Sequence, residues 1–260
     1  MQLISCHNGR LLASALAEET LARPTVFTTG LRAIDELLPH EGFARGAVHE
    51  VLANPKHVTP RFFALMLARS AAFDRGTGFP SVQTHSRGLE TRAAGAVVWC
   101  DPRDELYPPA VAAMGIPLER LYVLRPKSAP DHVWALAECL RCKGVCATVA
   151  PVQRLSRIEA RRLQLAAEQG GGAGILLRPL DRHASIYAAA TRWLVAPMRG
   201  ERTVQRWRVQ LMHGHGGRIG RAVVLEHHRD TRTITAIPLR APAQLADRPA
   251  ATAARARASA

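Results

Sequence analysis

Residues 28–53 read TTGLRAIDELLPHEGFARGAVHEVLA and decide the fold that the sequence predicts. A Thr-Gly pair, a short amphipathic helix, a Gly-Phe-x-x-Gly turn and an apolar strand follow one another. In many nucleotide-binding proteins such a strand runs into a glycine-rich phosphate loop, G-x-x-x-x-G-K-[ST]. Here it runs into residues 54–60, NPKHVTP, which contain no glycine and have two prolines that lack backbone N–H donors. The sequence therefore predicts a nucleotide-binding architecture without its nucleotide pocket, and a binding protein in place of an enzyme.

Four continuous apolar segments alternate with helical segments after residue 95. They are Ala96–Cys100, Leu121–Leu124, Gly144–Ala150 and Ala173–Leu177, and such runs form parallel strands that are buried on both faces. The helix predicted at Ser156–Gln169 begins with the Ser-x-x-Glu pattern of a capping box. The alternation predicts an α/β fold in which helices flank a mostly parallel sheet.

The alternation of strands and helices ends after residue 182, where short strands are separated by turn residues. These strands predict an antiparallel extension of the sheet, and helical spacing over residues 9–22 predicts an N-terminal helix. The last 23 residues lack periodicity and large apolar side chains, so we expect them to be disordered. The predicted organisation is an N-terminal helix at 1–24, one domain at 25–237 with an α/β core at 25–182 and antiparallel strands at 183–237, and a disordered tail at 238–260.

Composition favours a cytoplasmic protein that does not enter a membrane. No apolar run approaches the roughly 20 residues of a membrane span, and the N-terminus lacks the basic region of a secretory signal. Five cysteines, an odd number, fit a reducing compartment better than a disulfide framework. The cluster of Cys139, Cys142 and Cys146 lacks the second ligand pair of a structural zinc site, so the sequence favours core packing and no metal.

The positive charge of the chain is concentrated in its second half. The net charge is +14, yet residues 1–150 contain 16 Lys and Arg against 14 Asp and Glu. Residues 151–260 contain 19 basic residues, all of them Arg, against 7 acidic ones. This excess favours an anionic partner, with nucleic acid as the first candidate. A compositional cause stays open, because Arg outnumbers Lys 32 to 3 over the whole chain, as a GC-rich genome would produce.

Four arginines in and just before the capped helix are the first candidate contact site. Their spacing of three or four residues places them on one helix face as a basic stripe. The stripe would contact DNA phosphates or an acidic partner surface, and a solvated helix face without function is the alternative. The four residues are Arg154, Arg157, Arg161 and Arg162.

A second set of arginines lies among the antiparallel strands, close in sequence to Trp193 and Trp207. Arginine next to aromatic rings can stack nucleic-acid bases, but both tryptophans alternate with apolar residues as core residues do. Four histidines nearby lack an acid or a cysteine to complete a metal site. The candidate contacts in this set are Arg206, Arg208, Arg218 and Arg221, and the set also contains Arg192, Arg199 and Arg202.

The order of these motifs resembles the RecA-related accessory proteins of the ImuA family, which are also labelled SulA-like. The resemblance covers about residues 25–230, and the order and spacing of the motifs carry it. In chain order the motifs are T-G-(x)4-D-x-L-L-P at 29–39, G-x-x-x-G-A-x-H-E at 42–50, W-x-D at 99–101, R-R-L-Q-L-A-A-E at 161–168, T-R-W-x-V-x-P at 191–197 and R-W-x-V-x-L at 206–211.

The resemblance implies a RecA-like fold and a role in error-prone translesion DNA synthesis induced by DNA damage (the SOS response). It implies three protein partners: a Y-family-like polymerase homologue of the ImuB type, a DnaE-type error-prone polymerase, and RecA. DNA would be contacted directly or through these partners, at the nucleoid after damage. Neither catalysis nor a cofactor is implied.

The residues themselves agree with the absence of catalysis. A RecA-type ATPase needs acids after its second strand and after a later one. Asp101 stands at the first position, but without a bound triphosphate we interpret it as a turn residue, and residues 151–153 offer no acid at the second. The alternatives are a RecA-superfamily ATPase with a degenerate loop, a cell-division inhibitor of the SulA-like type, and a plain DNA-binding module.

Overall fold

The computed structural model describes residues 2–7, 10–11, 25–57, 59–73, 95–180 and 189–239, the first two ranges by their backbone alone. Thirteen strands and five helices lie in these ranges. The helices are α1 Arg32–Asp35, α2 Arg61–Ala72, α3 Pro108–Ala113, α4 Ala129–Arg141 and α5 Arg157–Gly170. The strands are β1 Gln2–His7, β2 Arg10–Leu11, β3 Val26–Phe27, β4 Phe43–Ala44, β5 Ala47–Ala53, β6 Ala96–Cys100, β7 Leu121–Arg125, β8 Val145–Pro151, β9 Ala173–Pro179, β10 Thr191–Met198, β11 Val204–Gly214, β12 Ala222–His228 and β13 Thr233–Leu239.

One sheet of eleven strands organises the described part of the chain. Its order is β13-β12-β11-β10-β5-β9-β8-β6-β7-β1-β2, and β3 pairs with β4 separately. The strands from β10 to β1 are parallel to their neighbours, whereas β10 to β13 form an antiparallel meander. This arrangement confirms the predicted α/β fold with its mostly parallel sheet and antiparallel extension.

Two apolar cores cover the two faces of the parallel strands. The first core contains residues of α1, α2 and α3, and the second core contains residues of α4 and α5. All seven residues of β5 are buried because the strand lies between both cores. The continuous apolar runs of the sequence are thereby explained: alternate residues of each run enter opposite cores. Cys139 lies in the second core and Cys146 in the first, which confirms the core-packing interpretation of these cysteines.

The capping box predicted for α5 is present. Ser156 accepts a hydrogen bond from the backbone N–H of Glu159 at 3.2 Å, and the Glu159 carboxylate accepts one from the backbone N–H of Ser156 at 2.7 Å. The Ser156 hydroxyl also donates to this carboxylate at 2.7 Å. The backbone and hydroxyl hydrogen bonds from Ser156 favour the ionised carboxylate and so lower the pKa of Glu159. At the other end, Gly171 ends the helix in the left-handed conformation at φ +71°.

Gly170 lets α5 approach α4 at backbone distance. A Cβ atom at this position would lie 1.9 Å from the carbonyl oxygen of Leu140 and 2.8 Å from the carbonyl carbon of Arg141. Gly170→Ala should therefore force α4 and α5 apart and lower the free energy of unfolding by about 2 kcal/mol, measured by urea denaturation. Gly171→Asn is the matched control, because nothing lies within 4 Å of that position and Asn tolerates a positive φ. Equal stability of the two variants would contradict this packing.

Two local predictions need correction. The helix predicted over residues 9–22 is wrong at Arg10–Leu11, which form a strand that pairs with β1, and residues 12–24 lie outside the described residues. β2 pairs with β1, and β1 in turn pairs with β7, which is distant in sequence. A local sequence pattern does not reveal such a partner. Pro238 and Leu239 complete β13, so the predicted disordered tail starts too early; residues 240–260 lie outside the described residues.

Candidate functional site

The carboxyl edge of the parallel strands is the place where α/β folds bind ligands, and β5 ends there in a self-contained turn. The side-chain oxygen of Asn54 accepts a hydrogen bond from the backbone N–H of Lys56 at 3.0 Å. The Asn54 carbonyl accepts a second one from the N–H of His57 at 2.8 Å. Pro60 then precedes the first residue of α2. The turn uses its donors internally, so it does not present the cradle of N–H groups that holds a phosphate.

Asp101 follows β6 at the same edge and holds a loop in place. Its two carboxylate oxygens accept hydrogen bonds from the backbone N–H groups of Glu105 and Leu106, each at 2.9 Å, and the residue is buried. The interpretation of Asp101 as a turn residue is confirmed. At the end of β8 the chain continues through Pro151 and Val152, and the Val152 N–H donates to the carbonyl of Leu177. The two positions where an ATPase places acids are thus occupied by structural groups.

A buried ion-pair triad links the three strands around β5. Glu50 accepts hydrogen bonds from Nη1 of Arg178 on β9 at 2.5 Å and from Nε of Arg192 on β10 at 2.7 Å. The three side chains are only 5%, 7% and 10% exposed. Both oxygens of the carboxylate are therefore engaged by cations that water does not reach. A buried triad of this kind holds three strands in register, because each charge depends on its partners for compensation.

The neighbouring residue, His49, forms a second buried network on the opposite face of β5. Its Nε2 lies 2.9 Å from the carbonyl oxygen of Ala44, an acceptor, so this nitrogen carries the proton and donates. Nδ1 accepts from the Thr191 hydroxyl at 2.8 Å, and Thr191 accepts from Nε1 of Trp193 at 2.9 Å. Burial lowers the pKa of His49 to about 4, which keeps the imidazole neutral.

These two networks unite two sequence motifs that lie 142 residues apart. In the parallel register of β5 and β10, His49 is opposite Thr191 and Glu50 is opposite Arg192. The sequence interpretation treated Arg192 as one of a set of basic residues and gave Glu50 no role, which the structure corrects. The sequence contained a signal for this pair. Glu50 and Arg192 each stand among apolar residues of a predicted strand, and a charged side chain that is buried in a strand needs a partner of opposite charge.

The third early motif, T-G-(x)4-D, is also structural. The Asp35 carboxylate accepts from the backbone N–H of Thr29 at 2.9 Å and from its hydroxyl at 2.8 Å. The Thr29 hydroxyl accepts from the N–H of Leu31 at 3.1 Å. Burial, the largest effect, raises the pKa of Asp35, while the bonds from Thr29 oppose that rise. The motif ties the chain before α1 to the helix itself.

The first arginine set lies on the solvent side of α5. All four side chains are exposed, and three of them line a groove with two exposed apolar side chains, Ile158 and Leu165. Ile158 is 82% exposed and Leu165 41% exposed. The groove is formed by Arg141, Arg157, Ile158, Arg161, Arg162, Leu165 and Gln169.

The second arginine set does not form one cluster. Arg206 donates to Glu226 at 2.6 Å and to Glu201 at 3.3 Å, so its charge is already compensated. Arg206 lies opposite Met198, whereas Arg218 and Arg221 lie in the turn after Gly214, at the other end of β11. Eight residues of extended strand separate these ends by about 26 Å. The members that remain exposed are Arg199, Arg202, Arg208, Arg218 and Arg221.

The tryptophans of this region pack against the core, whereas its histidines are partly buried or exposed. Trp193 is fully buried, and Trp207 stacks on Phe62 at 4.5 Å, which confirms their assignment to the core. His213 and His215 lie edge to face at 5.0 Å. Burial, followed by the neighbouring His215 and Arg192, lowers the pKa of His213. Within the described ranges, no group of three or more His, Cys, Asp or Glu side chains could hold a metal ion.

This sheet, with a proline-containing turn in place of a phosphate loop, defines a RecA-like α/β protein without a nucleotide cradle. The sequence is 31% identical over 215 residues to Protein ImuA of Caulobacter vibrioides (strain NA1000 / CB15N), covering 75% of this chain and 81% of the relative. Protein ImuA of the strain ATCC 19089 / CIP 103742 / CB 15 matches to the same extent. No family model matches the sequence. The chain belongs to the ImuA family, as its motifs indicated.

None of the helices in the described ranges is long and apolar enough to span a membrane.

Proposed function

We propose that this protein is a non-catalytic RecA-like accessory subunit in damage-induced, error-prone translesion DNA synthesis. It connects a Y-family-like polymerase homologue of the ImuB type, a DnaE-type polymerase and RecA, and it meets DNA directly or through them. Membership of the ImuA family supports this assignment. The protein acts in the cytoplasm and associates with the nucleoid after damage.

The carboxyl edge of the sheet is the observation that carries the non-catalytic part of the proposal. Its turn after β5 contains two prolines, each oxygen of its Asp101 carboxylate accepts a backbone hydrogen bond, and residues 151–153 at the end of β8 include no acid. An ATPase needs a phosphate cradle, a metal-binding acid and an acid that orients water. Hydrolysis of ATP by the pure protein, abolished by Asp101→Asn, would contradict the proposal.

The exposed face of α5 is the best candidate for contact with a partner. Arg157, Arg161 and Arg162 surround Ile158 and Leu165, so cationic and apolar groups are presented together. Among the described residues, Arg161 is the one member of the stripe that forms an ion pair with an acid, Glu168, and at 3.9 Å between exposed side chains that contact is weak. DNA phosphates would use the charges alone, whereas an acidic partner would use the charges and the apolar side chains.

The test is affinity purification of the tagged protein from DNA-damaged cells of its native host, with nuclease treatment and mass spectrometry. We expect RecA and the two polymerase subunits to be recovered despite nuclease. The variant with Arg154, Arg157, Arg161 and Arg162 all changed to Glu should recover at least one of them roughly tenfold less, because like charges repel an acidic surface. Arg120→Glu, an exposed change outside the groove, is the control.

The alternatives give different results in the same experiment. Recovery of the tubulin-like division protein would indicate a division inhibitor. Loss of every partner after nuclease would indicate a DNA-binding module. In that case the affinity for labelled single-stranded DNA should fall steeply with salt, and each removed arginine should lower the salt slope by about one.

A further inference from the structure

A cavity of about 440 Å³ opens between α2 and α3 at the carboxyl edge of the sheet. Its volume lies in the range of sites that hold a small ligand or a few side chains of a peptide. The sequence did not predict it as a site, because its lining comes from α2, β6, the loop before α3, α3, β11, β12 and the loop between β12 and β13. Its walls are predominantly apolar and include Phe62, Leu65, Trp99, Leu106, Val111 and Met114.

The mouth of this α2–α3 pocket carries a positive charge. Arg61, Arg229 and Arg232 line it, together with one acid, Glu105. Glu105 is shared by Arg61 and by Arg103, which lies 3.1 Å away. Among the described residues, no acid forms an ion pair with Arg229 or Arg232. The charge at the mouth therefore lacks a counterpart within the described part of the chain.

The chemistry of the pocket favours apolar side chains over nucleic-acid bases. Phe62 is already stacked on Trp207 at 4.5 Å and lies 5.1 Å from the ring of His227, so its ring is engaged inside the protein. Of the other two aromatic side chains in the lining, Trp99 is 2% exposed and Tyr107 is 68% exposed, so Tyr107 alone among these three rings offers a largely free face. The remaining apolar walls are aliphatic. A base would need a free aromatic face and hydrogen-bond partners for its edge, whereas a leucine or an aromatic side chain needs only the apolar walls.

We propose that the α2–α3 pocket binds an acidic segment of a protein partner. The segment inserts one or two apolar side chains between α2 and α3, and its carboxylates lie beside Arg229 and Arg232. The proposal rests on the proposed function, since it names the chemistry by which one partner is held. The charge of the pocket argues against the tail of the chain itself as occupant, because residues 240–260 contain four arginines and one aspartate.

The decisive variant places a large side chain in the pocket by substitution of an exposed residue that lines it. Ala110 lines the pocket on α3, and Ala112 is an exposed residue of the same helix that does not line it. Ala110→Trp should weaken binding of the acidic segment at least tenfold, and Ala112→Trp should not change it. Arg229→Glu with Arg232→Glu should have an effect similar to that of Ala110→Trp, and Arg120→Glu should have none. Unchanged thermal unfolding of each variant would show that the fold is retained.

The experiment starts from the affinity purification described above. Overlapping synthetic peptides covering each recovered protein are fluorescein-labelled, and their binding to the full chain is followed by fluorescence anisotropy. We expect a peptide with an apolar anchor and flanking acids to bind wild type and the Ala112→Trp variant equally, and the Ala110→Trp variant at least tenfold more weakly. Replacement of the anchor by Ser, or of the acids by Asn and Gln, should abolish binding.

Several outcomes would overturn the pocket while leaving the adaptor role intact. The first is equal recovery of partners by the wild type and by Ala110→Trp. The second is binding of peptides that lack acids. The third is binding of a labelled oligothymidine in place of peptides, weakened by Ala110→Trp. Recovery of no polymerase or RecA by the wild-type protein would instead overturn the proposed function itself, and the pocket proposal with it.

Discussion

Replacing Glu50 by Ala should lower the free energy of unfolding by about 3–5 kcal/mol, because it leaves two buried guanidinium groups without a carboxylate. Arg178 and Arg192 donate to Glu50 from the strands on either side, and no residue of the triad is more than 10% exposed. For a domain of this size the change corresponds to a fall in Tm of roughly 10 °C. Urea denaturation and thermal unfolding of the purified protein measure it.

Two controls separate this effect from a general loss of charge. Glu168→Ala removes an exposed carboxylate and should change stability by no more than about 0.5 kcal/mol. The triple variant Glu50→Met, Arg178→Met, Arg192→Leu removes the whole triad and should recover most of the loss, since apolar residues can replace a buried ion pair. A Glu50→Ala variant as stable as Glu168→Ala would show that the triad does not hold the strands together.

Acidification should destabilise the protein through His49. Its pKa is about 4 in the folded protein because the ring is fully buried, against 6.5 for the unmodified side chain. The unfolded chain therefore binds a proton that the folded protein does not, and stability falls as pH decreases from 6.5 to 4. The total loss from this residue is about 3 kcal/mol, and about 2 kcal/mol of it is reached at pH 5. Above pH 6.5 its contribution is fully present.

The measurement compares urea unfolding at pH 7.5 and pH 5.0 for wild type and His49→Gln. Carboxylates also titrate at low pH, so the difference between the two proteins isolates the histidine. His57→Gln, a change at an exposed ring away from this network, is the control. If His49→Gln showed the same fall in stability between these pH values as wild type, His49 would not be buried in its neutral form.

Three of the motifs that carry the family resemblance have structural roles. His49 and Glu50 meet Thr191 and Arg192 across neighbouring strands, and Asp35 fixes the chain before α1. These residues explain how a RecA-like core persists around a site without a phosphate cradle. Two other motifs contribute to the surfaces proposed for partner contact. The motif at 161–168 supplies Arg161, Arg162 and Leu165 to the groove on α5, and Trp99 of the W-x-D motif lines the α2–α3 pocket. Loss of partner binding with an intact fold should therefore come from changes at the exposed residues of these two surfaces, and loss of the fold from changes at the buried residues around β5.

The limits of sequence reasoning are clearest for the arginines. Spacing along α5 placed Arg157, Arg161 and Arg162 on one exposed face, because a single helix fixes their relative positions. Nearness in sequence likewise grouped Arg192 with other basic residues of the antiparallel strands, although Arg192 is buried and paired with Glu50. Nearness in sequence does not give nearness in a sheet, where partners come from other strands.

The sequence by itself determined the alternation of strands and helices, the capped start of α5, and the replacement of the phosphate loop by a turn with two prolines. Each of these depends on local periodicity or on the backbone chemistry of a few adjacent residues. Only the tertiary structure decided which charges are compensated, that Ile158 is exposed, and that Arg229 and Arg232 stand at the mouth of an apolar pocket. Those features depend on strand order and register, which bring residues together from positions more than a hundred residues apart.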